Sequence, residues 1–441
     1  MKLKFTIHPR ELMFAFFLFM LPFSVIFETG YYGSNLAYLA FTDEVLCIVC
    51  AIYTIYFIFK NGIKGTNLAI LGVLIVLILW GIYCNVYSGV LKSWFPIIVD
   101  AVCLAKIFIP FIIYRQVAVF DKKRMIARYL VLISKLFLIA ATICGIISQF
   151  TYIGMSIDPQ RRYGILPFSF VFRNEGRFGY IAVCALIFIM LVEKSKRKIT
   201  FYEVCAIMCV ILTTKGVVYI VVACYIMLLI IWRKNTKLTL PKVAVLAIGG
   251  IAVSTTQINT YLRDFNSPRV TLIRYGITTA KRYFPFGSGF ATYGSDQAMK
   301  NYSSLYYLYG FDNRWGLSPD NPAFLNDCYL GMLFGQFGFI GAVLFAVLII
   351  LTFIPIKNIV LDKKVKAISL ALFIGIVVSA IGTAIIKSSI GVYIFAVLGL
   401  VCGYSEQNFT EEKENDFQKY KASYTRSSAR SSPCVRRAAA K

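Results

Sequence analysis

Apolar stretches long enough to carry a helix across a bilayer, about 20 residues each, recur through most of this chain. In hydrocarbon every backbone polar group must be satisfied within the segment, which fixes such stretches as helices. The expected spans are 11–29, 36–59, 67–87, 95–114, 129–150, 178–192, 200–214, 216–232, 241–258, 330–354, 367–386 and 390–404. The two short ones flanking Lys215 are also compatible with one broken hairpin. Apolar residues make up 59% of the 441 and charged residues 15%, a balance no soluble chain of this length needs. The expected fold is all-α, a polytopic integral membrane protein of about twelve transmembrane helices. Residues 1–404 form the membrane domain, and 405–441 a polar, disordered cytoplasmic tail. No small-residue cleavage site follows the first apolar run, so a cleaved signal is not expected.

A net charge of +25 would suggest nucleic acid in a soluble protein. Here the basic residues fall between apolar spans, so they read as topology, and no nucleic-acid partner is expected. With the N-terminus inside, the connections 60–66, 115–128, 193–199, 233–242 and 355–366 are all basic, and lysine predominates. The opposite connections carry one basic residue or none, Lys92 among them. Anionic lipid and translocation favour that arrangement, which places both termini in the cytoplasm. Cys47, Cys50, Cys103, Cys144, Cys184, Cys205, Cys209 and Cys224 fall within spans. Cys47 and Cys50 have CxxC spacing, but without a second pair they read as small packing residues rather than a zinc or redox site.

Two outer loops break the pattern. Loop 151–177 carries Arg161, Arg162, Arg173 and Arg177 and no lysine; loop 259–322 carries Arg263, Arg269, Arg274, Arg282 and Arg314 against Lys281 and Lys300. Topology alone does not explain the change from lysine to arginine, since both orient helices equally well. The rigid planar fork of arginine binds phosphate bidentately and stays charged when partly dehydrated. Phosphate or pyrophosphate outside the membrane is the natural ligand, and pairing with loop acids or lipid head groups is the alternative. The second loop also holds RYFPFGSGFATYG at 282–294, a glycine-rich stretch suited to close backbone approach to a ligand. It lacks the Gly-Lys-Ser/Thr of a P-loop. NYSSLYYLYGFDNRW at 301–315 interleaves Tyr306, Trp315 and other rings with polar groups, which suits either sugar recognition or an aromatic belt at head-group level.

Three stretches resemble the O-antigen polymerase and ligase superfamily of bacterial envelope glycosyltransferases. They are RNEGRFGY at 173–180, TTKG at 213–216, and the run from PFGSGFATYG at 285 to PDNPAFLNDCYLGMLFGQFGFIG ending at 341. With the hydropathy profile the resemblance covers roughly residues 70–400, and it is nearest to the Wzy-type O-antigen polymerases. It implies a GT-C-like membrane fold with two functional outer loops, in a bacterial inner membrane with a periplasmic active site. The implied activity joins undecaprenyl-pyrophosphate-linked oligosaccharides into surface polysaccharide, with membrane lipid and a chain-length regulator protein as further partners. Lys215 stands where the family usually has arginine. Ligases carry a histidine before the late helix; here the only histidine is His8, and that stretch offers Asp320, Asn321 and Asp327 instead, which disfavours ligase.

Breaking an anomeric carbon–oxygen bond to pyrophosphate puts negative charge on the leaving group, which fixed cations or a metal can stabilise. The outer loops hold no Asp-x-Asp and no His/Cys cluster, so arginines are the available means and neither a metal nor a cofactor is expected. The catalytic candidates are Arg173, Arg177, Arg269, Arg274, Glu175 and Asp327, with Glu175, Asp320 and Asp327 as possible bases. Were 173–180 helical, Arg173 and Arg177 would share a face. Lys92, Lys215, Arg282, Asp320, Tyr306 and Trp315 are candidates for holding substrate. The rival from another class is a transporter, such as a lipid-linked oligosaccharide flippase. Asp43, Glu44, Asp100, Lys106 and Lys135 fall inside expected spans, where a charge costs roughly 2.5–3.5 kcal/mol and usually serves function. Against a transporter, no internal repeat is visible.

Overall fold

The computed structural model describes residues 9–28, 39, 41–60, 62–63, 65–117, 125–158, 160–233 and 267–430. These residues form helices joined by turns, with no strand beyond isolated bridges at Arg162–Ile165 and Ser318–Asn321. The helices are α1 (Pro9–Phe27), α2 (Thr42–Lys60), α3 (Gly65–Ser88), α4 (Trp94–Ala105), α5 (Phe108–Gln116), α6 (Met125–Phe150), α7 (Glu175–Val192), α8 (Lys196–Leu212) and α9 (Gly216–Arg233). After residue 267 come α10 (Pro268–Arg282), α11 (Asp296–Lys300), α12 (Ser304–Leu308), α13 (Tyr329–Lys357), α14 (Lys363–Gly382) and α15 (Ser389–Arg430).

Among the described residues, eight helices are long and apolar enough to cross a membrane: α2, α3, α6, α7, α9, α13, α14 and the first half of α15. A ninth is counted if α4 and α5, bent by 43° at their junction, form one span, and α1 is a shorter apolar helix. Each segment expected from the sequence overlaps one of these helices or α8, except 241–258, which lies outside the described residues. Several helices turn apolar stripes outward. Ile48, Ile52 and Ile55 on α2 are more than half exposed, an arrangement that lipid tolerates and water does not. The chain thus has the build of a polytopic membrane protein.

α7 and α15 form the axis. In their spans 89% and 94% of residues are buried within the protein, against 28% in α6. Gly399 and Gly403, one turn apart on α15, let the α5 backbone lie directly against it; a Cβ at Gly403 would sit 2.5 Å from the Arg115 carbonyl oxygen. Beyond this seam Arg115 is buried, donating to Glu406 at 2.8 Å and to Asn67 at 2.7 Å. α15 does not stop at 404: its backbone is helical through Arg430, so the expected tail boundary falls inside a helix.

The described residues of the stretch read as a long outer loop include α10, α11 and α12, with a core separate from that of the bundle, built on Leu272, Tyr293, Leu305, Tyr306, Phe311 and Leu325. Its glycine-rich segment is packed on protein. Phe290 N–H donates to Asn85 at 2.7 Å and Asn85 Nδ2 donates back to the Phe290 carbonyl at 2.9 Å. Ser288 and Gly289 N–H groups donate to the Gly335 and Gln336 carbonyls, at 2.9 and 2.8 Å. Gly289, at φ 93, makes this approach possible against Asn85. The partner helix α13 breaks at Gly338 (φ 66, ψ −165) to receive it.

Candidate active site

At the end of the bundle that carries this small module, a polar cavity of about 480 Å³ opens between helix ends. The local sequence explains why its cations sit there. A short 3-10 turn, Phe170–Phe172, ends in Arg173 with a left-handed backbone (φ 49). Asn174 then caps α7, its side chain accepting from the Arg177 N–H at 3.0 Å. Arg173 therefore lies outside the helix, and the shared i, i+4 face expected for Arg173 and Arg177 does not form. Thr213–Gly216 is the tight link between α8 and α9. It turns at Thr214 (φ 52) and sets Lys215 just before the α9 N-terminus, 3.4 Å from the buried Glu175. Pro268 starts α10, which places Arg269 in its first turn.

The N-termini of α2, α7, α9, α10 and α15 all contribute lining residues: Asp43 and Glu44, Gly176 and Arg177, Lys215 and Val217, Arg269, and Ser388 and Ser389. Each helix start carries the positive end of its dipole, so their convergence favours an anion. The side-chain charges balance. Lys106, Arg177, Lys215, Arg269 and Lys387 line the cavity beside Glu28, Asp43, Glu44, Asp296 and Asp327. Lys106 pairs with Asp43 at 2.7 Å and Glu44 at 3.0 Å, Arg177 with Glu28 at 3.2 Å, and Arg269 with Asp327 at 2.6 Å. Lys387, its side chain only 9% exposed, has Asp296 at 3.3 Å, a loose distance for such a pair.

The two loop carboxylates are tuned in opposite directions. Burial pushes the Asp327 carboxyl above its ordinary range, only partly offset by Arg269. Burial acts on Asp296 the same way, but Lys387 and a hydrogen bond from Asn326 outweigh it and hold that carboxyl low. Asp327 is therefore the more ready proton acceptor of the pair.

Of the residues singled out in the sequence, the fold brings Arg177, Lys215, Arg269 and Asp327 into the cavity, with Glu175 behind Lys215. Arg173 does not line it. Arg274 and Trp315 line a different pocket, beside Arg314. Lys92, Arg282 and Asp320 are exposed and line neither. Tyr306 corrects an expectation: it is fully buried, stacked on Phe311 and accepting from the Gly294 N–H at 2.9 Å, because the small module needs rings for its own core. Asp43, Glu44 and Lys106 were legible only as charges in apolar surroundings; the fold places them on the cavity wall. Lys135 instead pairs with Glu193 at 2.7 Å, away from the cavity. Lys387, Asp296 and Glu28 gave no motif. The one available signal was Lys387 standing alone between the runs 367–386 and 390–404.

Among the described residues no group of three His, Cys, Asp or Glu side chains is placed to hold a metal ion. No protein-family model matches this chain, and no curated protein does either.

Proposed function

We propose that this chain is a membrane glycosyltransferase that joins lipid-pyrophosphate-linked oligosaccharides, in the manner of the Wzy-type polymerases its motifs resemble. The observation that carries the reading is the cavity where five helix N-termini and five cations converge. It suits a diphosphate, whose several negative charges compete for arginine forks better than a single carboxylate. The three family-like stretches meet there through Arg177, Lys215 and Asp327.

In the reaction, Arg177, Arg269 and Lys387 turn from their carboxylates to the diphosphate of the donor. Asp327, released from Arg269, accepts the proton of the attacking sugar hydroxyl. The hydroxyl oxygen bonds to the anomeric carbon as the carbon–oxygen bond to the diphosphate breaks. The bonding pair leaves with the lipid diphosphate, and the fixed cations and helix ends stabilise it. The charge asymmetry of the connections supports a site on the outer face.

One feature favours a second reading, a flippase. α4 and α5 are bent by 43° at a short break, and the Lys106 there is ion-paired to Asp43 and Glu44, an arrangement like that of transporters whose discontinuous helices hold substrate. Lipid-linked saccharides in a strain lacking the chain separate the two. Single repeat units accumulating on the outer leaflet support the polymerase. Units retained on the inner leaflet support the flippase, and full-length polymer left on the carrier lipid points to ligation.

A further inference from the structure

α10 carries chemistry on two sides. Arg269 and Arg274, five residues apart, lie about 140° apart around the helix and about 7.5 Å along it. The first faces the cavity, while Arg274 lines a separate pocket of about 470 Å³ with Thr271, Tyr275, Arg314, Trp315 and Leu317. The pocket is built rather than incidental. The Arg314 guanidinium stands 5.7 Å from the Tyr275 ring centroid and donates to Thr271 Oγ1 at 3.4 Å. Tyr275 is braced from behind by Tyr309 and Phe311, at 4.8 and 5.2 Å between centroids. Trp315 is 77% exposed, yet Phe324 supports its ring at 5.5 Å.

Its electrostatics differ from those of the cavity. Among the described residues no carboxylate lines the pocket, and neither Arg274 nor Arg314 forms an ion pair. Two guanidinium groups without acids call for an anion, and a supported indole face calls for an apolar sugar face. The lining residues belong to α10 and the loop after α12, outside the long apolar helices, which argues against a phospholipid head group.

We propose that this pocket is a second binding site, for an acidic oligosaccharide segment whose carboxylates pair with Arg274 and Arg314 while a ring stacks on Trp315. It extends the glycosyltransferase reading, since a growing chain held here lies across α10 from the point of transfer. The binding itself does not depend on that reading. The test titrates the purified full-length protein, in neutral-lipid nanodiscs, with trigalacturonate, maltotriose and inorganic pyrophosphate. Trigalacturonate is expected to saturate and to bind at least tenfold tighter than maltotriose. R314Q and W315L are each expected to weaken trigalacturonate at least tenfold without altering pyrophosphate binding, while W315F, which keeps an aromatic ring, retains most of it. R269Q is expected to do the reverse, so failure of pyrophosphate to bind speaks against the cavity and leaves this site standing. Trigalacturonate binding that is absent, or unchanged in both R314Q and W315L, overturns the proposal. So does a loss in those variants confined to binding of phosphatidylglycerol vesicles.

Discussion

Arg269 holds Asp327 through two nitrogens on one carboxylate oxygen, Nε at 3.0 Å and a terminal nitrogen at 2.6 Å. Such a fork is the contact that lysine cannot copy, because an ammonium keeps the charge and loses the planar pair of donors. Arg269→Lys and Arg177→Lys are each expected to cut transfer on the order of 10²–10³-fold, the usual cost of removing one oxyanion donor. Arg162 pairs with Asp158 on the surface at 2.8 Å, and Arg162→Lys is expected to be nearly silent. Saccharide chain-length ladders at matched protein level measure all three; normal ladders for both cavity variants would return these arginines to a packing role. Asp327 makes a pH prediction. Burial raises its carboxyl, and only the ionised form accepts a proton. Transfer should therefore fall on acidification, beginning at a higher pH than an ordinary carboxylate near 4 would give. The pH profile of kcat/KM for the purified protein checks this. Asp327→Asn should abolish that limb together with most of the rate, and a limb unchanged in Asp327→Asn assigns it to another group.

At the scale of elements, α10 and α13 lie backbone to backbone. A Cβ at Gly331 would stand 2.8 Å from the Leu272 carbonyl oxygen, and one at Gly276 would strike the Gly331 carbonyl. Main chain cannot rotate away as a side chain can. Gly331→Ala should push α10 outward and carry Arg269, one turn before Leu272, off Asp327. Overpacking of this kind costs about 1–3 kcal/mol. The expected result is a thermal midpoint several degrees lower and transfer reduced at least tenfold. Gly72→Ala in α3, with nothing within 4 Å of the added methyl, is the silent control; equal tolerance at both positions would show that the seam is not tight. The eight long apolar helices were legible because a bilayer imposes length and composition on each helix independently. The seam was not, since Gly276 and Gly331 look like any other glycines until the chain brings them together. The aromatic run at 301–315 was legible as unusual but not as sorted: Tyr306 and Phe311 went into the module's core and Trp315 stayed out. Alternation of rings with polar residues does not say which rings find neighbours. The pairings of Glu28 with Arg177 and Asp296 with Lys387 were hidden for the same reason.

For the molecule as a whole, the arrangement of charge makes the strongest claim. The lysine-rich connections and the arginine-bearing module lie at opposite sequence-defined ends of the spans, and lysine-rich segments stay in the cytoplasm. The cavity should then open outward, where a lipid-linked saccharide can be joined without recrossing the membrane. The protein suits a labelling test, because none of the described cysteines is exposed, so the native thiols should give little background. With Cys434 changed to serine, cysteine is introduced at Asn301 or at Asn358. Both are exposed positions closing a helix, the first after α11 in the module and the second after α13 in the connection 355–366. In intact spheroplasts a membrane-impermeant maleimide should label Asn301→Cys and leave Asn358→Cys untouched until the membrane is permeabilised. Arg269 and Asp327 sit at the module end with Asn301, so the label there also reports the side on which the cavity opens. The reverse pattern would turn the cavity toward the cytoplasm. A polymerase acting on the outer leaflet could not then use it, and the cationic cavity would have to meet its anion from inside the cell.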